Sequence, residues 1–525
     1  MLRLPSRISL FLSIIAFILF VQTCHSASRI NFVLAAGPKR LIPFLATDSA
    51  SGEISSFIFN GLLKFDKNMN ITGDLAKSYE IKNGGKTIIF HLRKNVLWQD
   101  GTPFTADDVI FTYKTIINKN TPTPYSGQYT IIKSMKKIDN YTVEVDYPYP
   151  FAPALYSWMM GIVPKHLLKN VKNIATCKFN RKPIGTGPYR LVRWKTSQYL
   201  ILKANSHYFI HKPYIDEIFY RIIPDKITTL LELKKGSLDL VNLSPLEYRY
   251  ELNEFVKKHY NVYFQPSASY TYLGFNLHER LFKDLRIRKA ICMAINREEI
   301  NKTILLGYGV VADSIYPKDS PYFVKRKVCY YDPKGALKLL REAGWKMSKD
   351  GILHKNGVPF EFTIYTNEGN SERKYAAIMV QEYLRRIGIR AKLRILEWQA
   401  FLKLVNERHF DAVILGWQLG ADPDQYSIWD SKSDFKGGFN FVGFHDSRVD
   451  KLIEEGRRTF DKRKRRRIYL EINRLITEQI PYVFLYYPTS ITVVSKRFSG
   501  IKPAKAGIMY NFIEWKPQPN AAIER

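Results

Sequence analysis

The sequence predicts an α/β fold built from at least two interwoven domains, and three observations carry that reading. The chain has 525 residues, more than one hydrophobic core usually serves. Short β-branched and aromatic runs alternate with amphipathic helical patterns from end to end. No low-complexity tract, internal repeat or long Gly/Ser linker separates the parts, so the domains share the chain instead of following one another along it.

The first element is a leader. Arg3 and Arg7 precede an apolar run over residues 8–21, and the small residues Ser26, Ala27 and Ser28 follow, the layout of a secretory signal cleaved near Ala27. The run is 14 residues long, whereas a bilayer-spanning helix needs roughly 20. The mature protein is therefore expected to be soluble and periplasmic. Cys24 at the end of the run raises the alternative of a lipid anchor, but Val21, Gln22 and Thr23 stand where lipoprotein signals carry Gly, Ala or Ser. It is read as discarded with the leader.

The mature chain opens with a strand over 30–35 that ends at Ala36 and Gly37. Further strands are read at 87–93, 142–147, 199–204 and 217–223. Helical patterns occupy 106–117, behind the cap Thr105 with Asp107 and Asp108 in the first turn, then 225–235, 285–306, 332–343 and 372–387. The second half runs strand, helix, strand, helix, strand over 360–366, 372–387, 391–396, 399–408 and 410–417. That order predicts an α/β layer with a largely parallel sheet, and such sheets bind ligands beyond the carboxyl ends of their strands. The loop from Gly416 through Trp417, Gln418, Leu419, Gly420, Ala421 and Asp422 to Asp424 is accordingly the first candidate site.

Composition narrows the chemistry. The formal charge is +32, which raises nucleic acid or an anionic surface as a partner. Lys and Arg are spread over nearly every segment, however, and the densest run, 462–467, lies in a helical pattern with Ile468, Leu470, Ile472, Leu475 and Ile476; it reads as a solvated helix face. No nucleic-acid partner is expected. No Walker loop, GxSxG elbow or HExxH motif occurs among the 29 glycines and 10 histidines. Gly307, Gly309 and Ala312 match G-x-G-x-x-A but follow a helix, as a helix stop does. His207 and His211 sit in a turn-rich connection and read as surface residues, not metal ligands. Asp422 and Asp424 flank Pro423, a pattern for turn capping or binding more than for acid–base catalysis. Cys177, Cys292 and Cys329 define no disulfide framework; at most one bridge can form, and Cys292 reads as a buried small hydrophobe. No cofactor, metal site or catalytic residue is expected.

Five segments in order resemble one family. Residues 73–109 (GDLAKSYEIKNGGKTIIFHLRKNVLWQDGTPFTADDV), 185–194 (GTGPYRLVRW), 212–225 (KPYIDEIFYRIIPD), 273–300 (LGFNLHERLFKDLRIRKAICMAINREEI) and 387–396 with Glu397 and Trp398 are similar to the dipeptide and oligopeptide receptors of ABC importers, the extracytoplasmic solute-binding protein family 5. The resemblance implies a hinged, two-lobed periplasmic-binding-protein fold of the class II type with an additional domain in lobe one. On that layout residues 1–27 are the leader, 28–64, 184–269 and 486–525 form lobe one, 65–183 is the inserted domain and 270–485 is lobe two.

The implied function is capture of a peptide by hinge closure and delivery to an inner-membrane ABC permease by a monomeric receptor, with the ligand backbone supplying most contacts. By the same analogy the ligand-binding candidates are Trp417, Gln418, Leu419 and Asp422, with Tyr270 and Asn276 near the hinge and Ala36 and Gly37 on lobe one. Peptide-type members carry an amine-binding aspartate three residues after the tryptophan, where this chain has Gly420. Asp422 is the nearest substitute, and the departure leaves oligosaccharides or other solutes open as ligands. A secreted hydrolase and a basic adhesive protein are the competing classes.

Overall fold

The computed structural model describes residues 28–518 apart from 319 and 324–327; the expected leader, with Cys24, lies outside these residues. The first of two large sheets has seven strands in the order Tyr260–Pro266, Thr489–Ser495, Leu240–Leu243, Arg29–Leu34, Glu217–Ile222, Tyr199–Ala204, Tyr189–Lys195. Ile30, Phe32 and Leu34 face its core while Arg29, Asn31 and Val33 point away, the period-two pattern of a strand. That core continues through Phe90, Val143 and Trp158 into an antiparallel four-stranded sheet, Ala76–Lys82, Thr87–Leu92, Thr142–Asp146 and Ser134–Asp139.

The second large sheet orders Val310–Val311, Tyr482–Tyr487, Ser269–Phe275, Ala412–Gln418, Glu361–Asn367 and Arg390–Leu396. Its two faces carry separate cores: Ile364, Ala412 and Ile414 on one side, Val413, Leu415 and Phe484 on the other. Both sides being covered explains the nearly uninterrupted apolar sequence of Tyr482–Tyr487 and Ala412–Leu415. Among the described residues no helix is long and apolar enough to cross a membrane.

Four sequence expectations change here. The second sheet is mixed: only the pairings of Glu361–Asn367 are parallel, and Ser269–Phe275 runs antiparallel to both its neighbours. The reason is connectivity, since the chain enters this sheet by Ser269–Phe275 and leaves it by the adjacent Tyr482–Tyr487. The pattern read as one helix over 285–306 is two, Leu285–Ala294 and Arg297–Leu305, because Asn296 caps the second with its side chain on Glu299 N. The basic run at 462–467 is not wholly solvated: Arg465 falls on the same stripe as Ile468, Tyr469 and Ile472 and is buried. Cys292 is not a free hydrophobe but is bridged to Cys329.

The chain crosses between the large sheets twice, once between Pro266 and Ser269 and once at Pro488 between Tyr487 and Thr489. The two crossings lie side by side, because Tyr260–Pro266 pairs with Thr489–Ser495 and Ser269–Phe275 with Tyr482–Tyr487. Two short antiparallel strand connections are what a hinge requires.

Candidate binding cleft

Beside these crossings a cavity of about 960 Å³ separates the two sheets. Its walls are the residues just past the carboxyl ends of strands from both sides: Ala35 and Ala36 after Arg29–Leu34, Ser244 after Leu240–Leu243, Glu368 after Glu361–Asn367, and Leu419 after Ala412–Gln418. Strand ends gather loops whose backbone is not spent on a sheet ladder, which is why ligands collect there. Tyr125, Tyr156 and Met159, from the segment that carries the four-stranded sheet, close a third side.

Six of the eight residues singled out by sequence line this cavity: Ala36, Tyr270, Trp417, Gln418, Leu419 and Asp422. Trp417 is a fixed wall. Its indole Nε1 donates to Tyr482 at 3.2 Å, and its ring stacks on Phe441 at 5.3 Å. Gln418 is exposed, and its amide makes no hydrogen bond to a described residue. Position 420 faces open space, since a Cβ built on Gly420 meets nothing within 4 Å.

Two candidates are corrected. Asn276 lies outside the cavity lining; it is 1% exposed, and its Nδ2 donates to the carbonyls of Phe410 and Arg408 at 2.8 and 3.1 Å. It ties the start of the cleft strand in place from below. Gly37 also lies outside the lining, and its carbonyl instead accepts from Gln399 Nε2 at 3.1 Å, a bond that spans the two sheets.

The charges of the cleft sort by whether they already have partners. Asp422 does: Arg465 grips both its oxygens at 2.8 Å, and its Oδ1 also accepts Asp424 N at 2.9 Å. This fully engaged carboxylate has no charge to spare for a ligand amine. Asp424 is 3.3 Å from Arg457, and burial pushes its carboxyl up, to about 6. Asp48 caps the helix Ser49–Ile58 through Ser51. Lys226 donates to the carbonyl of Asn242 and pairs with Glu247.

Several have no ion-pair partner among the described residues, Glu53, Glu368 and Arg373 among them. Arg373, near the start of the helix Ser371–Arg386, spends one nitrogen on Asn367 Oδ1 at 3.0 Å. Its Nε is buried without a partner, and no carboxylate among the described residues lies within ion-pair distance of it. Burial lowers its pKa from the ordinary guanidinium value. Gly416 is needed beside it, because a Cβ there would sit 2.8 Å from the guanidinium. Across the cavity, Glu53 accepts from the buried Tyr220 hydroxyl at 2.8 Å, and no cation reaches it among the described residues. Its side chain is exposed and opens into the cavity, and the protein around it raises its pKa from the ordinary carboxylate value.

Sequence reasoning did not single out Glu53, Arg373, Arg457 or Arg465. For Arg465 a signal existed in its helical stripe. For the other three the decisive partners, or their lack, are set by residues far away in the chain.

A cavity walled by two sheets whose chain connections among the described residues are the paired crossings defines a clamp-type solute-binding protein. A family model described as "Bacterial extracellular solute-binding proteins, family 5 Middle" matches residues 70–439, and the chain belongs to that family. It is 36% identical over 489 residues, 90% of this chain and 88% of the relative, to the oligopeptide-binding protein AppA of Bacillus subtilis. The solved structure of that AppA in complex with a nonapeptide superposes with a TM-score of 0.88 at 33% identity, covering 94% of this chain and 99% of that one. NikZ from Campylobacter jejuni, solved with Ni(L-His), superposes with a TM-score of 0.85 at 31% identity, over 93% of this chain and 99% of that one.

Proposed function

We propose that the protein is the extracytoplasmic receptor of an ABC importer, capturing peptides, oligopeptides among them, and delivering them to an inner-membrane permease. The observation that carries this reading is the cavity between the sheets, about 960 Å³ and at the large end of the 300–1,000 Å³ usual for small-molecule sites. Similarity over most of the chain to an oligopeptide-binding protein supports the ligand class. Ligand contacts made to both lobes at once stabilise the closed form, and the closed form is what a permease recognises. The receptor does no chemistry on its ligand and works as a monomer.

On this reading lobe one comprises 28–64, 184–269 and 486–525, the inserted domain is 65–183 and lobe two is 270–485, with the return crossing at Pro488. Residues 1–27 direct export to the periplasm and are removed. Ala36, Tyr270, Trp417, Gln418 and Leu419 shape the ligand, with Gln418 offering its free amide to a ligand backbone; Asp422 shapes the wall through its bond to Arg465.

Mass spectrometry of small molecules released from the purified protein, paired with thermal shifts in a random-sequence peptide library, tests the proposal. Retained peptides that raise the melting temperature and are recovered intact are expected. Cleaved peptides would convert the reading to a hydrolase, and release of a non-peptide solute would overturn the ligand class.

A further inference from the structure

A second cavity, of about 690 Å³, lies behind the lobe-one wall of the cleft. The helix Ser49–Ile58 stands between the two and gives one face to each. Ser49, Ala50 and Glu53 line the cleft, whereas Gly52, Ser55 and Ser56, at the i, i+3, i+4 spacing of a single helix face, line the second cavity. At the edge of this wall the cavities meet: Ala46, Phe65, Tyr125 and Met159 line both, and the last three of these are only partly buried. Every described residue lining the second cavity lies outside 270–485, so on the lobe division above its shape does not depend on where lobe two stands.

The second cavity offers what a stretch of peptide needs. Phe57, Met160, Met509 and Tyr510 supply apolar walls, and methionines adapt to side chains of many shapes. Asp74, which also lines it, is 4% exposed. Its Oδ2 accepts from Asn60 Nδ2 at 2.8 Å, but its Oδ1 is buried without a hydrogen-bond partner; Lys64 Nζ, 3.2 Å away, brings it charge and no hydrogen bond. A buried acceptor left unused is costly, and a backbone N–H of a ligand would satisfy it. Ile210 and Tyr510 of the same lining are exposed, so the cavity also reaches the outer surface.

On the receptor reading above, we infer that this second cavity is an annex of the binding site, receiving the overhanging end of a peptide too long for the space between the lobes. The overhang passes between Phe65, Tyr125 and Met159, where the small Ala46 leaves room and the unbranched Met159 yields. It then sets a backbone N–H on Asp74 and an apolar side chain among the methionines. The wall is one helix thick, about 10 Å, which three extended residues span at about 3.3 Å each. Because no lobe-two residue takes part, these contacts survive hinge opening and slow release of long ligands in particular.

The experiment uses the mature protein and nested peptides built on a retained library member, lengthened one residue at a time at either end, with Ala, Phe or photoreactive benzoylphenylalanine at the added position. Calorimetry reads affinity. Burial of a Phe side chain is expected to tighten binding about 10-fold or more over Ala, at one end only and only beyond a threshold length. At the same position benzoylphenylalanine should crosslink to Met160 or Met509, located by mass spectrometry. Gly52→Trp fills the annex without a clash, since a Cβ on Gly52 meets nothing within 4 Å, and Ser56→Trp fills it from the same helix face. Both substitutions should remove the Phe gain and the crosslink, while peptides below the threshold length, held by the cleft alone, report that each variant is folded.

No gain from Phe at any length, or crosslinks that fall within 270–485 instead, would overturn the inference and leave the receptor reading intact. So would a gain that survives both tryptophan substitutions. Where a variant fails to bind even short peptides, the crosslink on the unaltered protein decides alone. Failure of peptides of every length to bind the unaltered protein would sink the receptor reading itself.

Discussion

Replacing Asp422 by Asn separates a structural carboxylate from a ligand-binding one. Asp422 and Arg465 have side chains only 8% and 10% exposed, joined by two bonds of 2.8 Å. Arg465 also donates to the Gly456 carbonyl at 3.1 Å, so it is held in place whether or not its anion remains. Removing one partner of such a buried pair costs about 3–5 kcal/mol, because the other is left as an uncompensated charge. Asn keeps one oxygen for Asp424 N and Arg465, which places the expected loss at the low end, about 3 kcal/mol. Urea unfolding followed by tryptophan fluorescence measures it, since Trp429 lies in the core on the same face of the second sheet as Tyr469, the aromatic neighbour of Arg465. Replacing Arg465 by Met in the same chain should restore part of the loss, as a double-variant cycle reads directly. Affinity for free and N-acetylated peptides should fall together or not at all. A stability change under about 1 kcal/mol, with selective loss of free-amine peptides, would refute the reasoning and return Asp422 to the ligand.

Asp424 and Asp430 are both pushed up to about 6 by burial. The native state therefore keeps protons that the unfolded chain sheds, and stability should fall as pH rises from about 4 to 6, by up to about 3 kcal/mol per group, and level off above that. Asp430→Asn should flatten part of this slope in urea titrations across that range. Changing Cys292 and Cys329 to Ser removes a bridge that closes a separation of 37 residues; chain entropy predicts a loss of about 4 kcal/mol, measured the same way. Gly127→Ala acts on the closed form, because the new Cβ would lie 2.5 Å from the Tyr426 ring across the lobes. Overpacking there costs about 1–3 kcal/mol, which should appear as weaker ligand binding and a larger radius of gyration with ligand in small-angle scattering, with little change in unfolding of either lobe.

The cleft strand and its loop were legible because Ala412–Gln418 combines a continuous apolar run with a Gly-Trp stop, and a strand end locates a site by local pattern alone. Arg465 was legible in principle. Its spacing to Ile468, Tyr469 and Ile472 puts it on the buried stripe, and the run of neighbouring cations hid that periodicity. Glu53 and Arg373 were not legible, since each reads as an ordinary polar residue of an amphipathic helix. What singles out Glu53 is Tyr220, 167 positions away, and what singles out Arg373 is a buried Nε without a hydrogen-bond partner. The bridge between Cys292 and Cys329 likewise depends on how the helix Leu285–Ala294 meets a distant segment. Asn276 failed in the other direction, because nearness to the hinge in sequence says nothing about which side of a strand pair an amide faces.

The buried Arg373 guanidinium bears on the empty receptor as well as on the loaded one. The lobes close through bonds that need no ligand: Ala152 N donates to the Arg457 carbonyl at 2.8 Å, Arg457 donates to Gly127 O at 2.7 Å, and Gln399 to Gly37 O. With such contacts available, an unliganded protein closes unless something opposes it. Arg373 opposes it, because its Nε is buried without a partner, at a cost of about 1–3 kcal/mol. A ligand that brings an acceptor to this guanidinium cancels that penalty, so it adds its differential free energy to the closed state alone. Substituting Arg373 by Met should therefore raise the closed fraction of the empty protein, seen as a smaller radius of gyration without ligand. An empty variant as open as the parent would show that the buried guanidinium leaves the hinge equilibrium untouched.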